Sequence, residues 1–161
     1  MTQSGDYPLG NRVIMTVSAP KPVSMALRLR IPAWAGPATA IRVADRAGPA
    51  AVPGQFATIA REWRDGDRVD LFFDMQLRAE AVDQHYRDRV AMMVGPLALF
   101  ATGDRFTPLT KAQLMSLRQT APGTAEWTLD GGTGRQSFRP YFAMGEEPSR
   151  LYQRVVGGDA I

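Results

Sequence analysis

Cysteine is absent from this sequence, and histidine occurs once, as His85. Without a thiol there is no disulfide, thiolate metal site or cysteine nucleophile. A single imidazole gives little means of exchanging protons near neutral pH or of completing a zinc site. Long apolar runs are missing too. No stretch approaches the roughly 20 residues that cross a bilayer as a helix. Met1–Gly10 has neither the basic nor the apolar region of a secretory leader, so no membrane partner is expected. Lack of cysteine fits several compartments and leaves the localisation open. Charge of one sign is scarce as well: 19 basic residues face 16 acidic ones, for a net +3. The arginines are scattered in pairs such as Arg28 with Arg30, Arg61 with Arg64 and Arg87 with Arg89. That is not the footprint of a nucleic-acid site, and no nucleic-acid partner is expected.

What is present is the composition of a folded chain, 45% hydrophobic and 22% charged over 161 residues. This suffices for one ordinary domain or two small sandwiches. The clearest periodicity runs from Val23 to Ile31, where Val23, Met25, Leu27, Leu29 and Ile31 alternate with Ser24, Ala26, Arg28 and Arg30. Such alternation predicts a strand with one buried face. Val13, Met15 and Val17 alternate likewise ahead of it, and Pro20 and Pro22 separate the two. A shorter strand is expected around Ile41 and Val43. Phe56–Trp63 and Val69–Phe73 flank Arg64-Asp65-Gly66-Asp67, and an Asp-Gly pair between extended runs predicts a hairpin.

Leu77–Val82 reads as one more strand, and the polar stretch Asp83–Arg89 marks a structural boundary. Val90–Val94 is continuously apolar and, with Leu97–Ala101 after Gly95-Pro96, predicts a strand buried on both faces. Thr110-Lys111-Ala112-Gln113 fits a capping box, with Leu114 and Leu117 following at helical spacing, so one short helix is expected there. Strand-like pieces resume at Trp127 and Leu129, Phe138–Phe142 and Leu151–Val156, with a glycine-rich turn at Gly131, Gly132 and Gly134. Many short strands between glycine and proline turns predict an all-β fold, an antiparallel β-sandwich of jelly-roll type. The expected division is two small sandwiches, 1–88 and a smaller or incomplete one at 89–161 packing on the first.

Chemistry is sparse along this framework. His85 lies in the polar stretch Asp83-Gln84-His85-Tyr86 and reads as a solvated loop residue, with no ligand spacing around it. Glycosidase chemistry commonly needs two carboxylates flanking a scissile bond, and no such pair is evident. Asp65 and Asp67 read as turn formers. Glu146 and Glu147, between Gly145 and Pro148, read as loop residues, with Glu146 a candidate to receive a buried backbone hydrogen bond. Glu62 and Glu146 are the acids a free-standing hydrolase would have to use. Gly131-Gly132-Thr133-Gly134 lacks the lysine and the strand-to-helix setting of a phosphate loop. Trp34, Trp63 and Trp127 are the candidates for carbohydrate binding, because flat aromatic faces stack on pyranose rings; core packing is the competing role. No catalytic residue, metal ligand or cofactor site is assigned.

Five ordered segments carry a family resemblance. They are Gly5-Asp6-Tyr7-Pro8 with Arg12-Val13, Leu27–Trp34 (LRLRIPAW), Glu62–Asp67 (EWRDGD), Val94–Leu97 (VGPL), and Arg139-Pro140-Tyr141-Phe142 with Leu151-Tyr152. Together they resemble the noncatalytic C-terminal region of the DUF1680 glycosidases, the family that includes β-L-arabinofuranosidases of glycoside hydrolase family 127. In that family an upstream α/α-barrel carries the active site, with a zinc-bound cysteine and glutamates. The resemblance therefore implies an accessory region that is not an enzyme by itself and that packs against a catalytic barrel or a second copy of the chain. Surfaces near Trp34 and Met92–Leu99 are the expected contacts. A carbohydrate-binding module using exposed aromatics is the alternative.

Overall fold

The computed structural model describes residues 1–129 and 136–157, so the expected Gly131–Gly134 turn lies outside the described residues. The chain divides into two compact units, Met1–Gln76 and Leu77–Ile161.

The first unit contains β1 (Thr2–Gly5), β2 (Arg12–Thr16), β3 (Val23–Arg30), β4 (Ala40–Val43), β5 (Arg46–Ala47), β6 (Phe56–Trp63) and β7 (Arg68–Phe72). Five strands form one sheet in the order β1-β2-β7-β4-β5, and β3 pairs with β6 in a separate ribbon. Every pairing is antiparallel. Alternation explains how the two layers meet. Val13, Met15, Ile41, Val69 and Leu71 face inward from the sheet, and Leu29, Ala57, Ile59 and Trp63 from the ribbon, forming one cluster. The result is a β-sandwich, as the sequence pattern predicts.

Two local expectations change. The apolar face of β3 is covered at Leu29 and beyond at Ile31, whereas Val23 and Met25 remain partly open to water. Both strands of a two-stranded ribbon are edges, so its end keeps one flank solvated. The Asp-Gly turn, in addition, does not close a hairpin, because β6 and β7 belong to different sheets. It is an arch between layers, with Gly66 at φ +80°. Its hydrogen bonds run to the other crossing, between β2 and β3. Gly66 N donates to the Val17 carbonyl at 2.9 Å and Val17 N to the Asp67 carbonyl at 2.8 Å, while Ala19 N donates to Asp65 Oδ1 at 3.1 Å. Pro20 cannot donate, and beside it the chain leaves one layer for the other.

The second unit contains β8 (Leu77–Ala81), β9 (Arg89–Val94), β10 (Leu97–Thr102), β11 (Leu109–Thr110), α1 (Lys111–Met115), β12 (Arg118–Gln119), β13 (Trp127–Thr128), β14 (Ser137–Pro140), β15 (Ser149–Arg150) and β16 (Tyr152–Val156). Its sheet runs β11-β16-β9-β10-β14-β13-β12, with β8 on β9 and β15 on β10. The β9–β10 hairpin is a fork. Near its turn Val94, Met93 and Met92 pair with Leu97, Ala98 and Leu99. Further along, Ala91, Val90 and Arg89 pair with Tyr152, Gln153 and Arg154, and Ala101 and Thr102 pair with Arg150 and Ser149. The segment 149–156 thus takes over pairing with both prongs. Val90, Ala91 and Met92 are buried in succession, as their unbroken apolar run predicts.

The helix begins as expected. The Thr110 side chain accepts from Gln113 N, and the Gln113 side chain accepts from Thr110 N, completing a capping box. Leu114 and Leu117 point inward. β8 pairs along β9, which places both strands in the unit that begins at Leu77.

Candidate functional site

The three tryptophans do not present a common binding face. Trp63 is fully buried, and its indole N–H donates to the Met25 carbonyl at 3.0 Å. Trp127 is also buried, on a strand of the second unit. Trp34 is half-buried against Phe73, with ring centroids 5.3 Å apart, and Phe73 stacks in turn on Tyr7. Trp63 and Trp127 have no open ring face for a sugar, and Trp34 follows a strand end where its ring closes the edge of the core.

Glu62, Asp65, Asp67, Asp83 and Glu147 have structural partners. Asp83 Oδ1 accepts from His85 N at 2.7 Å and Tyr86 N at 3.0 Å, shaping the turn. The His85 ring is solvated, 3.7 Å from Asp83 Oδ1. Asp67 Oδ2 accepts from Arg64 N at 2.9 Å, and Glu62 pairs with Arg64 at the surface. In the 145–147 loop it is Glu147, not Glu146, that receives a backbone N–H, from Gly145 at 2.9 Å. Arg139 bridges Glu126 at 3.1 Å and Glu147 at 3.4 Å. Its guanidinium occupies the space between the two carboxylates, where a scissile bond would have to lie. Among the described residues, no three His, Asp or Glu side chains form a group suited to a metal. No described helix is long and apolar enough to cross a membrane.

The most constrained charge is Asp70 on β7. Its carboxylate is about 5% exposed, with Arg12 and Arg68 each at 2.7 Å. Hydrogen bonding from Arg68 is the largest cause holding its pKa below the usual carboxylate value; burial opposes this, and Arg12 adds to it. The same contact raises the pKa of Arg68. On the inner side of the same strand, Val69 and Leu71 enter the core. Its role is to fix the outer face of the sheet.

Part of the Met92–Leu99 stretch expected at a contact surface is not exposed. Met92, Leu97 and Leu99 are core residues because β9 and β10 are interior strands. The open aromatics of this unit include Tyr141, 77% exposed, and Phe142, 60% exposed. Both follow Pro140, where β14 ends and a 3-10 turn spans Tyr141–Ala143. Their strand-like sequence concealed this, since Phe138 and Pro140 keep alternation up to the turn. The signal available was Pro140 itself, which cannot extend a ladder. Tyr141 rests on Phe100, with centroids 6.2 Å apart.

Comparison with known proteins sets these features in context. A family model, the β-L-arabinofuranosidase GH127 middle domain, matches residues 1–75, nearly the whole first unit. No curated protein matches the sequence. Among solved structures, a glycoside hydrolase is similar at TM-score 0.74 and 21% identity, covering 96% of this chain and 32% of that one. A GH127 β-L-arabinofuranosidase from Geobacillus stearothermophilus T6 is similar at TM-score 0.70 and 19% identity, covering 96% of this chain and 30% of that one. A further GH127 β-arabinofuranosidase has TM-score 0.71 and 19% identity, covering 96% and 31%. The chain therefore spans about a third of the length of these proteins and shares their fold over that third.

Proposed function

We propose that this chain is a noncatalytic accessory β-sandwich region of a DUF1680/GH127-like glycosidase, serving to pack against a catalytic α/α-barrel. The observation that carries the reading is the agreement between the GH127 middle-domain match over 1–75 and a fold that covers 96% of this chain but only 32% of a glycoside hydrolase. The chain beyond the middle domain, from β8 onward, is read as the start of the C-terminal region. The chemistry agrees: Arg139 separates Glu126 from Glu147, and Asp70 is committed to two arginines. Catalysis belongs to the partner barrel in this reading, and the isolated chain hydrolyses no glycoside. Tyr141 and Phe142 are the proposed contact, since two adjacent open rings, Tyr141 resting on Phe100, suit burial against another surface.

The gene's upstream neighbourhood gives the first test. An in-frame α/α-barrel is expected there, and an unrelated neighbour would overturn the reading. Sedimentation of the chain mixed with that barrel gives the second. A complex weakened at least tenfold by Tyr141→Ser with Phe142→Ser is expected. A strict monomer with no affinity for the barrel would sink the proposal.

A further inference from the structure

The fork between β9 and β10 creates a second surface that packing against a barrel does not explain. Where β16 enters the fork, Arg89 lies directly opposite Arg154, and Ala91 opposite Tyr152. Side chains two apart on a strand share a face, so Arg89, Arg154 and Tyr152 project together. Arg150 joins them across the bend at Leu151. These residues line a cavity of about 400 Å³, within the roughly 300–1,000 Å³ typical of small-ligand sites. Tyr152 is 45% exposed there.

Like charges directly opposite on adjacent strands are destabilising, and the protein does little to neutralise these. Among the described residues, the ion pair made by the three arginines is Arg154 Nε to Asp88 Oδ2, at 3.8 Å. Arg89 and Arg150 instead lie over aromatic rings, Tyr86 at 5.7 Å and Phe106 at 4.9 Å. Such stacking holds a guanidinium in place while leaving its N–H groups free to donate. Glu80, opposite Ala91 on the other flank of β9, shares the face but is engaged by Arg78 at 2.7 Å. Among the described residues, the positive charge at the cavity therefore exceeds the negative charge nearby.

The bend that presents Arg150 is itself built. Gln153 is buried, and its side-chain amide donates to the carbonyls of Arg150 at 2.8 Å and Leu151 at 3.4 Å. A buried amide spent on two carbonyls just ahead of its own strand fixes the angle between β15 and β16.

We propose that this cavity binds a small oxyanion, a carboxylate or phosphate, between Arg89, Arg150 and Arg154, with any attached carbon skeleton resting on Tyr152. Paired guanidiniums recognise such groups bidentately, and an anion between Arg89 and Arg154 relieves their cross-strand repulsion. The site is independent of the barrel-packing reading and stands or falls separately.

The test is an NMR titration of the full chain with inorganic phosphate, glucuronate and neutral glucose in parallel. Expected are shifts at the amides of Leu151–Arg154 with phosphate or glucuronate and none with glucose. Response to phosphate marks a free oxyanion; response to glucuronate alone marks a carboxylate carried on a sugar-like skeleton. Arg89→Gln with Arg154→Gln should weaken binding at least tenfold, and raised salt should weaken it too. Arg150→Gln, outside the β9–β16 pairing, should weaken it several-fold even if the double variant folds poorly. Arg46→Gln, an exposed arginine on β5, should leave it unchanged. No shift with either anion at tens of millimolar would overturn the proposal, as would equal weakening by Arg46→Gln or an equal response to glucose.

Discussion

The indole N–H of Trp63 donates to the carbonyl of Met25 at 3.0 Å, reaching across the β3–β6 ribbon past its own register partner, Val23. One side chain thereby fills the space between the layers and ties the strand whose apolar face is least covered. Trp63→Phe keeps an aromatic ring but leaves the carbonyl without this donor, and should cost about 1–3 kcal/mol. Trp63→Ala also opens a cavity and should cost about 3–5 kcal/mol. Urea unfolding followed by circular dichroism checks both. A loss under 0.5 kcal/mol for Trp63→Ala, about the size of a neutral surface change, would contradict this account of the core.

Asp70 gives the first unit a predictable acid response. Its folded pKa lies below the ordinary value of 3.8, through Arg68 first and Arg12 after it. A depressed carboxylate contributes stability that is fully present above the unfolded pKa and is lost as pH falls through the folded one. The decline should therefore begin near pH 3.8 and continue below it. Asp70→Asn should flatten that part of the stability–pH curve and destabilise the protein at pH 7. Both guanidiniums are partly open to water, at 40% and 43% exposure, so the loss should be about 1–3 kcal/mol, below that of a fully buried pair. Urea midpoints across pH 2–7 for the two proteins test this.

Much of the fold was legible because local chemistry and tertiary contact agree. Val13 and Met15 alternate and are buried; Thr110 and Gln113 spell a capping box and form one. What stayed hidden depended on which partner a segment meets. Asp65-Gly66 specifies a reversal, but not whether β7 returns beside β6 or crosses to another sheet. The tryptophans offered flat rings, yet nothing in their spacing told that Trp63 and Trp127 would face inward. The arginine cavity was illegible for a stronger reason: Arg89 and Arg154 are 65 positions apart and meet only through the fork.

Two glycines with positive φ should respond differently to substitution. Gly66, at φ +80°, has nothing within 4 Å of where a Cβ would stand. Gly66→Ala should cost only the backbone strain of the left-handed region, about 1–2 kcal/mol. Gly5, at φ +126°, would drive a Cβ into the carbonyl of Arg12. Relieving that clash means parting β1 from β2, whose pairing includes Gly5 with Val13. Hydrogen exchange should show Gly5→Ala exposing the β1–β2 amides while Gly66→Ala leaves them protected. Equal protection in both variants would refute the distinction.

Gln153 links the stability of the second unit to the shape of its arginine cavity. Its amide spans two carbonyls at the bend between β15 and β16, and its register partner Val90 is fully buried. Gln153→Met preserves length and apolar contact but removes both donors, so the carbonyls of Arg150 and Leu151 lose this partner. The cost should be about 1–3 kcal/mol. The bend then loses its brace, Arg150 is no longer held toward Arg89 and Arg154, and affinity for phosphate or glucuronate should fall several-fold. Gln153→Glu keeps the length but sets carboxylate oxygens against carbonyl oxygens, and should destabilise more than Gln153→Met. A purely structural role predicts the stability loss alone. Titrating Gln153→Met with the same anions, at a temperature where circular dichroism shows it folded, separates these outcomes. Unchanged affinity in the folded variant would remove Gln153 from the construction of the site.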